Sequence, residues 1–457
     1  MNEAARTIIE SVRERVTPDE ALATRLSTVA ARLEAEARAA VTELPVEADI
    51  LRVGSTARNT WTPEDRDIDI FVRFPPSLSR DDLERYGLAV GSKVLPDGRE
   101  EYAEHPYITG TVEGFDVDLV PCYAVPSATE AKSAVDRTPF HNDYVAGALT
   151  PQLAADVRVF KQFLRAAGIY GSNLKTRGFS GYLTELLILE YNGVLGVLSA
   201  AADWHPPIVL DPADHGEVAF DDPLVVYDPT DPARNVAAVL ASTNLARLQH
   251  YARRFLADPR PDRFEPVSVT PIDPDDLREV IADRGTTVLA LRFEVEDIVD
   301  DQLYPQLDRS RDGLVRALER EGFTVVRSDR FATGGPALAD AVLLFELESR
   351  IVPAIQRHEG PPVGVRNHAE SFYTKYADES VYGPFIDGNR YVVERYRDHT
   401  DAVDYISTDG ITDAALGATV GRVLTTNRTV LVDEELLTLL EKPAFGRALT
   451  RYFDPRP

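Results

Sequence analysis

Cysteine is almost missing from this chain. Cys122 is the single one in 457 residues, so no disulfide can close within the chain, as suits a protein of a reducing cytosol. Lysine is scarce as well: only six of the 49 basic residues are Lys, and the rest are Arg. No run of about 18 apolar residues occurs, which excludes a hydrophobic membrane-spanning helix. The opening "MNEAARTIIESVRERV" is charged and helical in pattern, unlike the apolar core of a secretory leader. A cytoplasmic protein with no membrane partner is therefore expected. Internal repeats and low-complexity tracts are lacking too.

What is abundant is acid. Asp and Glu number 75 against 49 Lys and Arg, a net charge of −26, while 44% of residues are hydrophobic. Acidic, lysine-poor composition with ordinary hydrophobicity resembles that of proteins from salt-loving organisms, whose carboxylated surfaces stay hydrated and mutually repelling in concentrated salt. Such a charge argues against a nucleic-acid partner in dilute buffer. In molar salt the Debye length falls to about 3 Å, and local Arg clusters can still bind phosphate.

At roughly 100–200 residues per domain the length calls for several domains. "TPDEALATRLSTVAARLEAEARAAV" predicts a helix with Thr17 as N-cap, Pro18 in the first turn and Glu20 closing a capping box, and with Leu22, Leu26, Val29 and Leu33 as its apolar stripe. "EADILRVGS" reads as a strand entering a turn, "SRDDLERYGLAVGSKVL" as a helix, and "GTVEGFDVDLVPCY" as an acidic strand. Helical patterns dominate 150–200, followed by a Pro/Asp-rich stretch over 203–234, a helix through "NVAAVLASTNLARLQHYARRFLAD" and a linker near 258–273. Strand and helix patterns alternate beyond it. The fold class expected is α+β multidomain.

The chemistry concentrates in "VGSTARNTWTPEDRDIDIFVRF". Asp is depleted in strands, yet Asp67 and Asp69 alternate with Ile68, Ile70, Val72 and Phe74. Alternation puts the two acids on one face, with Cα atoms about 7 Å apart, and the apolar residues on the other. Asp116 and Asp118 do the same in "FDVDLV". If the strands are neighbours, several carboxylates converge and repel unless hard divalent cations sit among them. Two Mg²⁺ ions about 3.5–4 Å apart suit nucleotidyl transfer. Gly54 and Ser55 follow a strand and open a turn whose N–H groups can cradle a phosphate, and Arg58 can pair with one. Together these features point to a nucleotidyltransferase. The pattern does not choose between Asp116 and Asp118.

"RVGSTARNTW", "DIDIF", "YAEHPYITG", "VDLVPCY", "KSAVDRTPFH", "GIYGSNLKTRGFSGYL", "DPARNVAA" and "DIVDDQLYPQL" resemble the archaeal class I CCA-adding enzymes, tRNA nucleotidyltransferases of the polymerase-beta-like superfamily. The resemblance runs through most of the chain and is weakest beyond about residue 320. It implies a nucleotidyltransferase catalytic head at 1–142, a helical neck that binds the nucleotide base at 143–270, and an α+β, tRNA-binding body and tail at 271–457. It implies addition or repair of the 3′-terminal CCA of tRNA from CTP and ATP, without a nucleic-acid template and with release of pyrophosphate. It makes Asp67 and Asp69 the carboxylates that hold both Mg²⁺ ions, and Asp118, directly before "LVPCY", the third. Asp116 matches no family carboxylate. Many of these enzymes have Glu where this chain has Asp67.

The same resemblance brings Ser55, Arg58, Lys161 and Tyr170 to the triphosphate, His105 and Arg234 to the base, and Thr138 near the RNA 3′ end. Lys161, one of so few lysines and set in the apolar "VFKQFL", reads as a phosphate partner on pattern too. Tyr170 also fits a core tyrosine, and His105 a structural, hydrogen-bonded histidine. In "LYPQLDRSRDGLVRALER", Arg309, Arg316 and Arg320 share a helix face, under the acceptor stem and TΨC arm of tRNA by resemblance. Asp308, Asp312 and Glu319 interleave, so a salt-bridged helix fits equally. A homodimer is compatible with the sequence, which does not fix the oligomeric state.

Overall fold

The structure, a computed structural model, describes residues 3–102, 104–379 and 382–457; the quoted block "YAEHPYITG" therefore includes one residue outside them. The chain divides between Val267 and Ser268 into two compact units.

In the first unit, α1 (Glu3–Val16) and α2 (Glu20–Val41) precede β1 (Asp49–Val53), the short α3 (Gly54–Ala57), β2 (Ile68–Phe74), α4 (Arg80–Val94), β3 (Arg99–Tyr102), β4 (Pro106–Val112) and β5 (Phe115–Tyr123). The strands form one sheet in the order β1-β2-β5-β4-β3. Leu26, Val29 and Leu33 of α2 are buried as the stripe predicts. The cap differs, however. Asp19, not Thr17, accepts the Leu22 N–H at 2.7 Å, while the Thr17 hydroxyl donates back to the Arg13 carbonyl at the end of α1. A carboxylate two residues nearer the helix outcompetes the threonine, since Asp is among the strongest N-caps. The second acidic segment is a hairpin, not one strand: Glu113 and Gly114 take positive φ and turn β4 into β5.

Ile68, Ile70, Val72 and Phe74 of β2 and Val117 and Leu119 of β5 are at most 1% exposed, and they pack with α2 and α4. The opposite face is closed at one end by Val53, Phe71 and Cys122. It is open at the end that carries the acids.

Helices α5 (Thr138–Ala148), α6 (Pro151–Ala166), α7 (Gly181–Glu190), α8 (Val194–Asp203) and α9 (Ser242–Ala257), with strands β6 (Ile208–Leu210), β7 (Leu224–Asp228) and β8 (Asp231–Asn235), build a second core in this unit. The apolar 181–203 stretch breaks at Asn192 and Gly193, both of positive φ. Among the described residues no single helix is long and apolar enough to cross a membrane; α7 and α8 together meet that length test only as a pair bent by 90°, and both lie in this core. Residues 258–267 are not a bare linker: Phe264 is fully buried against Phe163 and Phe255.

In the second unit, α10 (Pro274–Arg284), β9 (Thr287–Glu296), α11 (Asp300–Arg320), β10 (Val325–Gly335) and β11 (Leu338–Leu347) lead to a small sheet of β12 (Ile355–Pro362), β13 (Tyr382–Asp387) and β14 (Arg390–Tyr396) with α12 (Arg366–Ala377) between. Then follow α13 (Ala402–Ser407), α14 (Asp409–Asp413), α15 (Ala418–Thr426), β15 (Thr429–Val432) and α16 (Pro443–Phe453). The larger sheet runs β10-β11-β9-β15. Its central strand β11 is buried almost throughout, because α11, α13, α14 and α15 cover one face and α10 and α16 the other.

Candidate active site

Register fixes the acids. β2 and β5 pair in parallel with Asp69 opposite Asp118, and β1 pairs with β2 so that Val53 lies opposite Asp69. Paired residues of neighbouring strands project to the same face. Asp69 and Asp118 therefore stand side by side, and the turn beginning at Gly54 lies against Asp69. A Cβ on Gly54 would fall 1.9 Å from the Asp69 Oδ2, and the residue adopts φ +79. Glycine is needed here twice over, for the backbone and for room beside the carboxylate. Ser55 follows, half-buried, in α3.

Asp67 lies just before β2 and is exposed. Although the residue as a whole is solvent-exposed, the protein packed around its carboxyl desolvates it, and with the neighbouring Asp65, Asp116 and Asp118 charges this pushes the group up to about 6. Asp69 rises to about 7, through burial first and then through Asp118 and Asp67. Asp118 is also raised, by burial and by Glu101 and Asp116, against a hydrogen bond from Thr109. Like charges that oppose one another's ionisation are what a bound cation would relieve. Asp116 is exposed and accepts the Thr111 hydroxyl at 2.9 Å. Among the described residues no three His, Cys, Asp or Glu groups already stand gathered as a metal cage. The donor set is nonetheless all carboxylate oxygen, the set that hard divalent ions prefer. Asp67, Asp69 and Asp118 fit such an ion by chemistry.

The cationic residues take definite partners. Lys161 is 1% exposed, and its Nζ lies 3.3 Å from the Asp65 carboxylate. Arg165, one turn further along α6, approaches the same oxygen at 2.9 Å, and the Tyr170 hydroxyl donates to it at 3.3 Å. Arg58 is held by two bonds to Glu185 of α7, at 3.1 and 2.9 Å, and by Asn142 at 3.0 Å. Glu185 is 1% exposed and also accepts the Thr60 hydroxyl at 2.6 Å. Arg234 donates to Asp228, which takes His141 Nε2 at 2.7 Å and the Tyr182 hydroxyl at 3.2 Å as well. His141 stacks on Tyr182 with centroids 4.1 Å apart. The Asp228 carboxyl is well below the usual range: burial would raise it, but the His141 contact and the Thr230 hydrogen bonds outweigh burial. His105 is buried, with Nδ1 3.3 Å from Glu84 and Nε2 without a partner among the described residues. Thr138 opens α5, half-buried.

Several residues of this region escape the sequence reading, and four of them are instructive. Asp65 continues the alternation of Asp67 and Asp69 upstream, a signal within reach. Arg165 follows Lys161 by one helical turn. Glu185 interrupts a strongly apolar helix, and a buried acid implies a partner. Asp228 gives no local sign.

In the second unit Arg309, Arg316 and Arg320 are exposed on α11. Arg311, by contrast, is tied to Asp308 and Asp312. Arg320 donates to the Asp413 carbonyl. Neither Arg309 nor Arg316 has an ion-pair partner among the described residues.

Family models match three consecutive parts of the chain: nucleotidyltransferase domain at 35–141, tRNA nucleotidyltransferase second domain at 155–265, and CCA-adding enzyme C-terminal domain at 284–433. The CCA-adding enzyme of Haloarcula marismortui is 53% identical over 100% of both chains. Those of Halorubrum lacusprofundi and Halobacterium salinarum are each 54% identical over at least 98% of this chain and 99% of theirs. The chain belongs to the CCA-adding enzyme family.

It is a nucleotidyltransferase, and the acidic, lysine-poor composition accords with relatives from halophilic archaea. Membership of the CCA-adding enzymes accords with two acidic strands and a glycine turn gathered at one sheet end. Among solved structures, a Cid1 RNA terminal uridylyl transferase is similar at a TM-score of 0.46 and 15% identity over 57% of this chain and 98% of that one.

Proposed function

We propose that this protein builds or repairs the 3′-terminal CCA of tRNA from CTP and ATP, without a nucleic-acid template, in the cytosol. The observation that carries the reading is the pairing of Asp69 with Asp118 beside the Gly54 turn, in a chain alike to CCA-adding enzymes from end to end. In this reading residues 1–142 are the catalytic head, 143–270 the neck that holds the base, and 271–457 the body and tail that bind tRNA.

The RNA 3′-hydroxyl oxygen attacks the α-phosphorus of the nucleotide in line. A new P–O bond forms, the α–β bridge breaks, and pyrophosphate leaves. Asp67, Asp69 and Asp118 would hold two divalent ions, Mg²⁺ by its preference for oxygen, which supply positive charge at the attacked phosphate and the leaving group. Asp118 faces the 3′ end and draws on the proton of the attacking hydroxyl. The Gly54–Ser55 turn offers backbone N–H groups and a hydroxyl to the triphosphate, and Lys161 and Tyr170 meet its far end. Arg58 steadies the turn through Glu185 and gives its remaining N–H groups to phosphate. Arg234, oriented by Asp228, presents planar donors to the base edge, which suits acceptors on a nucleobase; His105 lies toward the same base. Thr138 sits near the RNA 3′ end. Arg309, Arg316 and Arg320 contact the backbone of the acceptor stem and TΨC arm, where A-form geometry favours recognition by shape.

The test is incorporation of labelled CTP and ATP into tRNA lacking its CCA end, across a KCl series. Addition that stops after C-C-A and strengthens into molar KCl is expected. A long homopolymer tail, or no nucleotide incorporation at all, defeats the reading.

A further inference from the structure

Three donors from different positions converge on a single oxygen. Lys161 Nζ, Arg165 Nη2 and the Tyr170 hydroxyl all reach Asp65 Oδ2, at 3.3, 2.9 and 3.3 Å. Arg165 is aimed by a second bond, Nη1 to the Thr62 hydroxyl at 2.7 Å, and its guanidinium lies 4.7 Å from the Tyr170 ring centroid. Asp65 itself rides on a tight turn, with its N–H donating to the Thr62 carbonyl. The donors belong to packed elements: Lys161 and Arg165 to α6, and Tyr170 to a segment bridged to Phe179.

The fit is poor for a carboxylate. Two of the contacts exceed the usual donor–acceptor distance of about 2.9 Å. Two cations face one anion, and Lys161, its side chain 2% exposed, depends on that anion. A terminal phosphate carries about two charges and three acceptor oxygens, one for each donor. The seat is thus built for a larger anion than the one that fills it.

We infer that Lys161, Arg165 and Tyr170 form a seat for the outermost phosphate of the nucleotide, and that Asp65 occupies this seat until the substrate displaces it. The inference rests on the triphosphate reading of Lys161 and Tyr170 given above and adds two residues to it. Arg165 binds substrate directly. Asp65 is an internal competitor: it neutralises a buried lysine while the site is empty and raises the concentration of nucleotide needed to fill it. Its turn, from Thr62 to Asp65, is the piece that moves.

The test is binding of inorganic triphosphate, and of CTP, to the full chain at high KCl, by calorimetry, for four variants and a control. Asp65→Asn removes the competitor and should bind triphosphate about tenfold more tightly, the order of one charge-assisted hydrogen bond. Glu64→Gln makes the same charge change one residue away, at an exposed side chain, and should shift affinity less than twofold. Arg165→Gln, Tyr170→Phe and Lys161→Met should each weaken binding. If Lys161→Met does not fold, the other two carry that arm. Asp65→Asn binding no tighter than Glu64→Gln, with the cradle variants still weakened, overturns the inference and leaves the triphosphate reading intact. Cradle variants that bind like the parent overturn both. An Asp65→Asn protein that only melts lower makes the contact a structural clamp and likewise overturns the inference.

Discussion

Replacing Gly54 by Ala should separate geometry from stability at the catalytic end of the sheet. The added Cβ lies 1.9 Å from Asp69 Oδ2 and 3.0 Å from its Cγ, whereas ordinary contact begins near 3.4 Å. The carboxylate must therefore retreat by roughly 1.5 Å, and a misplacement near 1 Å costs on the order of 10²-fold in rate. The backbone adds a second penalty, because a non-glycine residue at φ +79 is strained by about 1–2 kcal/mol. For a unit of this size that lowers Tm by roughly 2–8 °C. Gly114 in the β4–β5 turn supplies the control: it has φ +84 and nothing within 4 Å of an added Cβ. Gly114→Ala should lose similar stability and keep its rate within about twofold. The assay is single-turnover incorporation of labelled CTP into tRNA that lacks CCA, beside thermal melts of both variants. If Gly54→Ala kept its rate within about threefold of the parent, or Gly114→Ala lost as much, the steric account of Asp69 would be wrong.

Asp69→Asn and Asp118→Asn should each reduce incorporation by about 10³-fold or more while filter binding of tRNA is retained; near-parental turnover in either would remove that residue from the reaction. Arg309→Glu with Arg316→Glu should raise KM for tRNA and flatten the salt dependence of binding by about one unit of log–log slope per contact, with KM for CTP unchanged; a shift in the CTP value instead would place these arginines elsewhere in the mechanism. In the second unit, Glu346 is buried. Burial alone would raise its carboxyl, but hydrogen bonds from Arg284 and Thr286 outweigh it and hold the group below its ordinary 4.5. A depressed folded value gives stability that is complete above about pH 4.5 and shed as pH falls below it. Glu346→Gln should therefore flatten the acid limb of a denaturation profile, and an unchanged limb would refute the assignment.

Much of the catalytic sheet was legible because its signals are local. Alternation alone assigned Ile68, Ile70, Val72 and Phe74 to a core, and each is buried. The same alternation put Asp67 and Asp69 on the other face. Pairing was not legible: that Asp69 would stand beside Asp118 depends on parallel register between segments about fifty residues apart, and periodicity carries no information about it. Phe71 and Cys122 show the limit of the two-face argument, since the face that bears the acids is itself closed at one end. Local competition explains the misplaced cap, where Asp19 displaced Thr17. The break at Asn192 and Gly193 went unread within a continuous apolar run, which looks alike in one helix or two. The partner of Arg58 was out of reach, because Glu185 comes from a helix that only the fold brings near; Asp228 stands just six residues before Arg234, across the β7–β8 turn, but nothing in its local pattern marks it as a partner.

The Arg58–Glu185 pair has a mechanical meaning. It bridges the segment that follows the Gly54 turn and helix α7 of the second core, with its acid 1% exposed. Hinging the two apart would strand an ionised carboxylate in an apolar interior, a penalty of several kcal/mol. The cleft between them is accordingly stiff. On the proposed reading, with the base held in this stiff cleft, a changing preference for cytosine twice and adenine once has to come from the lengthening RNA end, a sliding wall in a fixed mould.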